Sequence, residues 1–84
     1  MSKYEPLQLY LERIPPVTED VILLFQDIER IVGFQLPSGS KAHRAWWANR
    51  TTERHHPHAQ AWLAAGWEVD KVDFSQSWVR FRRQ

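Results

Sequence analysis

The sequence predicts a small α+β domain, and three features carry that expectation. Apolar residues recur three and four apart from Leu7 to Ile14, a continuous apolar run occupies residues 21–25, and the C-terminal stretch reads as two short strands around Ser75-Gln76-Ser77. The 84 residues leave room for one domain, residues 1–84, and one modest core, since so short a chain buries only about 60–65% of its unfolded surface. Five tryptophans, four phenylalanines and two tyrosines can fill that core, each burying roughly 150–250 Å². The chain has no cysteine, which excludes a disulfide framework and any thiolate zinc site. No segment approaches the ~20 apolar residues of a membrane span, and the opening M-S-K-Y-E-P has no signal-peptide hydrophobic region. The expectation is a soluble, cytoplasmic protein without membrane contact or cofactor.

The first helix is predicted over residues 5–14, with Pro6 in its first turn and Leu7, Tyr10, Leu11 and Ile14 as the buried stripe. Pro15-Pro16 ends it, because a residue before proline is driven out of the α region and proline offers no amide hydrogen. The run V-I-L-L-F at residues 21–25 is short enough for a strand, and Ile28, Ile31 and Val32 continue at helical spacing up to Gly33, a suitable left-handed stop. Phe34 to Pro37 then turns, and Ser38 or Ser40 can cap a further helix over residues 41–49. On that helix Ala42, Ala45, Trp46 and Asn49 share an inner face and His43, Arg44, Trp47 and Arg50 an outer one. After a polar loop over residues 50–56, Pro57 opens another helix with Ala59, Trp62 and Leu63 inward, and Gly66 stops it. In the hairpin, alternation fails between Val69 and Val72, which predicts a bulge. Val79 and Phe81 face the core there, and Trp78, Arg80 and Arg82 face outward. The expected core is Leu11, Ile22, Leu24, Ile28, Ile31, Trp46, Trp62, Leu63, Val79 and Phe81.

This element order is that of a winged helix-turn-helix with one inserted helix. In that reading residues 26–32 form the positioning helix, residues 41–49 the recognition helix and residues 75–77 the wing tip. A small α+β sandwich with its helices on one side of the sheet shares the order. The segments L-P-S, H-R-A-W-W-A-N, A-W-L-A-A-G-W-E-V and W-V-R-F-R resemble a group of small, mostly uncharacterised bacterial and phage-associated domains. Their shared pattern is a strand leading into a helix, Leu-Pro with small residues, Trp-Trp-x-Asn, a Gly-Trp pair and a terminal V-x-F strand. The resemblance covers nearly the whole chain, departs from the pattern at Gly39 and in the histidine-rich loop, and implies no chemistry.

Function is sought in residues 38–67, which hold four of the five tryptophans and all four histidines. Net charge is +1 overall, yet residues 1–37 carry −3 and residues 38–60 carry +3, an asymmetry that hints at an anionic partner. Lys41, His43, Arg44, Arg50 and Arg54 lie among the large aromatic faces of Trp46 and Trp47, a mixture suited to phosphate and base contacts. Asn49 either reads an adenine or caps the helix end. Trp46, Trp62 and Trp67 read as core, whereas Trp47 and Trp78 are open to either role. The stretch H-H-P-H, with Glu53 and His43 nearby, matches no metal-ligand spacing and reads as a solvated loop. Asp20, Asp27, Glu29, Asp70 and Asp73 are scattered, and neither a nucleophile elbow nor a phosphate-cradling glycine loop is present. A non-enzymatic module binding duplex DNA is therefore expected. Lys41, His43, Arg44, Trp47, Asn49, Arg50 and Arg54 would act from the centre, and Trp78, Arg80, Arg82 and Arg83 from the hairpin. The alternative is a protein-interaction or assembly module, engaging a partner or a second copy through exposed tryptophan and arginine.

Overall fold

The computed structural model describes residues 2–50 and 57–84. Its elements are α1 (Glu5–Glu12), β1 (Asp20–Leu24), α2 (Phe25–Val32), two short 3-10 turns (Ser38–Lys41 and Arg44–Trp47), α3 (Pro57–Ala64), β2 (Trp67–Asp73) and β3 (Trp78–Arg83). The three strands form one antiparallel sheet in the order β1-β3-β2. The fold is α+β. Leu23, Val69, Val79 and Phe81 point from the sheet into a core shared with Leu7 and Leu11 of α1, Ile28 of α2 and Ala59 and Trp62 of α3. All three helices thus lie against one face, and no described helix covers the other.

In α1 the buried stripe is Leu7 and Leu11, continued by Tyr4 just before the helix; it is rotated from the expected one, and Tyr10 is exposed. The helix stops before Ile14, and its terminal carbonyls are satisfied from a distance. The Trp67 indole donates to the Leu11 carbonyl at 3.1 Å. Arg83 donates to the carbonyls of Thr18 and Pro15 at 2.9 and 3.0 Å and lies 4.3 Å over the Trp67 ring. Arg83, expected to face a phosphate, instead ties the chain's last strand to the α1–β1 connector.

In β1 the phase differs from expectation. Leu23 is buried, whereas Ile22 and Leu24, both assigned to the core, are 52% and 37% exposed. A continuous apolar run carries no alternation of its own, so the phase is set by pairing, with Val21 opposite Phe81 and Leu23 opposite Val79. Slipping the strand by one residue would exchange its faces. Phe25, immediately after, opens α2, and Gly33 ends that helix at φ 85°, where the absence of a Cβ removes the steric penalty.

The helix expected over residues 41–49 does not form. Ala42 (φ −134°) and His43 (φ −124°, ψ 119°) separate the two 3-10 turns, and Ala48 is extended after them. The break at Ala42 and His43 lets each of two adjacent tryptophans find its own packing. Trp47 is fully buried and stacks between Phe25 (5.5 Å, 16°) and Trp62 (5.7 Å, 20°). Its indole donates to the Ser40 carbonyl at 2.8 Å. Trp46 takes the half-buried rim, so the inward and outward assignments of the pair are exchanged. The expected bulge is present, since Val69 pairs with Phe81 and Lys71 with Arg80, leaving Asp70 between them.

Candidate interaction surface

The tryptophans do not form an open cage. Trp47, Trp62 and Trp67 are fully buried. Trp46 is covered by His58, whose ring stacks parallel to it at 3.8 Å and 2°. His58, read as part of a solvated loop, sits in the first turn of α3 and is 4% exposed. Its Nε2–H donates to the Trp46 carbonyl at 2.7 Å. The rest of that loop, Glu53, Arg54, His55 and His56, lies outside the described residues. Among the described residues no group of three His, Asp or Glu side chains is placed to hold a metal ion, and no helix is long and apolar enough to cross a membrane.

Asn49 does not cap a helix, and although the residue is exposed its carboxamide is committed to the fold. Its Oδ1 accepts from the Trp62 indole at 2.9 Å and from the Val69 amide at 2.8 Å, while its Nδ2 donates to the Val69 carbonyl at 3.0 Å. The carboxamide thus pairs with the outer edge of β2 as a neighbouring strand residue would, and it satisfies a buried indole as well. Its position two residues after the buried Trp47 gives the Trp-Trp-x-Asn segment a structural role: Trp47 fills the core and Asn49 closes the sheet edge.

The cations divide into two groups. Lys41 is paired with Glu29 at 3.1 Å. Arg80 is paired with Asp70 at 2.7 Å, and Arg82 reaches the same carboxylate at 3.5 Å. The Glu29 carboxyl is held below its ordinary range, first by the bond it accepts from the Leu36 amide and further by Lys41. Arg44 and Arg50, by contrast, are exposed, and their side chains have no partner among the described residues. Arg44 opens the second 3-10 turn and Arg50 follows Asn49 at the edge of β2, whereas Arg80 and Arg82 lie on the outer face of the sheet beside Asp70.

On the outer face of the sheet Ile22 and Leu24 meet solvent, as Leu9 and Tyr10 do on α1 and Val17 in the connector after it. Pairing sets Leu24 beside Trp78, Ile22 beside Arg80 and Asp20 beside Arg82, with Glu68, Lys71 and Asp73 across from them on β2. Trp78 is half-buried, with the Lys71 ammonium 5.9 Å from its ring. Three cations and four carboxylates share this face, so it presents no net positive field to a phosphate backbone. At its lower corner Asp73 is held below its usual range by the Gln76 amide and the Ser75 hydroxyl, which fixes the hairpin turn. Asp70, Ile22 and Leu24 were missed as surface determinants. The parity of V-x-F in β3 was a usable signal for the strand, and the bulge that aims Asp70 was visible only as a break in pattern.

A family model described as a domain of unknown function, DUF7662, matches residues 4–84. The chain belongs to the DUF7662 family. The match spans all of the described elements, from the Tyr4 anchor through Asn49 to the Arg83 latch. No curated protein and no solved structure matches the chain.

Proposed function

We propose that this DUF7662 domain is a non-enzymatic protein-interaction module whose contact surface is the outer face of the sheet, centred on β1 and Trp78. The observation that carries the proposal is the exposure of Ile22 and Leu24, at 52% and 37%, beside Trp78. Such side chains stabilise a fold only when covered, and each covered Å² contributes about 25 cal/mol. Around them, Asp70 holds Arg80 and Arg82 in place, so a partner meets arginines that are already ordered. An apolar centre with tryptophan and arginine inside a rim of mixed charge is the usual anatomy of a protein contact. The test is to pan a phage-displayed library of random peptides against the parent and against Ile22→Ser and Trp78→Ser. Binders of the parent that both variants lose support the proposal, and an identical set of binders on all three contradicts it.

Arg44 and Arg50 support a second reading, duplex DNA binding from the central segment, because they are exposed and lack acidic partners among the described residues. The β1-β3-β2 order is compatible with a winged-helix topology in which α3, not residues 41–49, occupies the recognition position. However, the exposed residues of α3 are Gln60 and Ala64, which carry no charge for phosphate. A salt titration with labelled duplex separates the readings, since phosphate-driven affinity falls linearly in log–log form and tryptophan-centred contact does not.

A further inference from the structure

The two edges of the sheet are treated differently, and the difference identifies how a partner would bind. In an antiparallel pair, alternate residues turn their amide and carbonyl toward the neighbouring strand. The Arg83 amide donates to Glu19 and the Phe25 amide to Ser77, so the odd-numbered residues of β1 bond to β3. The backbone groups of Asp20, Ile22 and Leu24 therefore point away from the sheet. The Leu24 amide is taken by Asp27 at 2.9 Å. Those of Ile22 and Asp20 have no bond from any described residue. On the opposite edge, Asn49 occupies both groups of Val69. One edge is closed and the other open.

Along the open edge runs a groove of about 480 Å³, walled by Val21 and Ile22 on the strand, Tyr10 on α1, and Asp27, Arg30 and Ile31 on α2. Tyr10 is itself 41% exposed. We propose that an extended peptide segment adds as a fourth strand to β1. Its main chain pairs with Ile22, and its apolar side chains at every second position drop into the groove against Tyr10 and Ile31. The intervening side chains lie on the outer face beside Ile22 and Leu24. Glu19 and Asp20, at the strand's N-terminal end, have no ion pair among the described residues, so the segment carries a basic residue at that end. A five-residue strand beside such a groove is too small a contact for two folded copies, which bury about 800 Å² each. It suits a short length of chain, where main-chain bonds supply affinity and alternate pockets supply specificity. This inference rests on the protein-interaction reading and specifies its partner and mode.

The experiment takes peptides enriched on the parent over Trp78→Ser and resynthesises them with every second amide N-methylated, in each of the two phases. One phase is expected to weaken binding at least about tenfold, the equivalent of about 1.4 kcal/mol, and the other to leave it unchanged. Ile22→Pro, which removes an outward amide at a sheet edge where proline is tolerated, is expected to weaken binding to the same degree. In the free protein the Ile22 amide is expected to exchange hydrogen far faster than that of Leu23, and to become protected when peptide binds. Equal sensitivity to both methylation phases, or an Ile22 amide as protected as Leu23 in the free protein, overturns strand addition. If peptides depend on Trp78 but ignore methylation phase and Ile22→Pro, strand addition fails while the interaction reading stands. If no peptide is enriched on the parent over Trp78→Ser, both fail.

Discussion

Replacing Asn49 with alanine tests whether one surface carboxamide secures both the tryptophan core and the edge of β2. The change removes three hydrogen bonds at once. Trp62 is fully buried, and its indole N–H loses its acceptor, at a cost of about 1–3 kcal/mol. The Val69 amide and carbonyl lie on a strand edge that water can reach, and their lost bonds add about 0.5–1.5 kcal/mol each at most. A total of about 3–4 kcal/mol is expected. A chain of 84 residues holds roughly 4–13 kcal/mol at ~0.05–0.15 kcal/mol per residue, so the loss is a large fraction of stability. Asn49→Asp keeps an acceptor for both N–H groups but sets a carboxylate against the Val69 carbonyl, and is expected to fall between parent and alanine. Urea denaturation of Asn49→Ala, Trp62→Phe and the double variant closes a cycle. The double variant should lose less than the sum of the singles, because phenylalanine has no N–H to orphan. Strict additivity, or a loss below ~1 kcal/mol for Asn49→Ala, refutes the reasoning.

Trp47→Ala and Trp62→Ala should each cost about 3–5 kcal/mol in chemical denaturation, with Trp46→Ala distinctly less; equal losses at Trp46 and Trp47 contradict the exchange of inner and outer positions. The Glu29 carboxyl, held low by the Leu36 amide and then by Lys41, contributes stability that is fully present above the ordinary glutamate value of about 4.3 and is lost as pH falls through the lower folded value. The difference in melting temperature between the parent and Glu29→Gln should therefore be largest near neutral pH and shrink in acid, and a difference constant with pH contradicts the assignment. Arg44→Ala with Arg50→Ala should leave stability within about 0.5 kcal/mol. If that segment binds duplex DNA, the double variant should also lower the log–log salt slope by about 0.9 for each lost phosphate contact, whereas an unchanged slope removes the segment from the contact.

What the sequence made legible was what local chemistry decides alone. Gly33 stops α2 at positive φ, Pro57 opens α3, and the broken alternation after Val69 is the bulge at Asp70. The α+β class followed from these elements. The phase of β1 was not legible, because V-I-L-L-F is apolar throughout and only its partners in β3 choose between Leu23 and Ile22. Nor was the fate of Trp46 and Trp47, since helical periodicity was applied to a segment that folds as two 3-10 turns. For the surface, residue type pointed to arginine and tryptophan but not to their partners. Asp70 neutralises Arg80 and Arg82, and Arg83 is consumed by carbonyls. These pairings join residues from separate strands or connectors, and composition does not encode them. Asn49 is a similar case, because its two principal partners, Trp62 and Val69, are brought to it only when α3 and β2 are in place.

The most direct measurement of the central claim is an amide chemical-shift map of the ¹⁵N-labelled domain titrated with a peptide selected on the parent. The account expects the largest shifts in β1 and at Trp78, Arg80 and Arg82, with residues 41–50 little moved and the response nearly independent of salt. Shifts centred on Arg44 and Arg50 that vanish as salt is raised would contradict it.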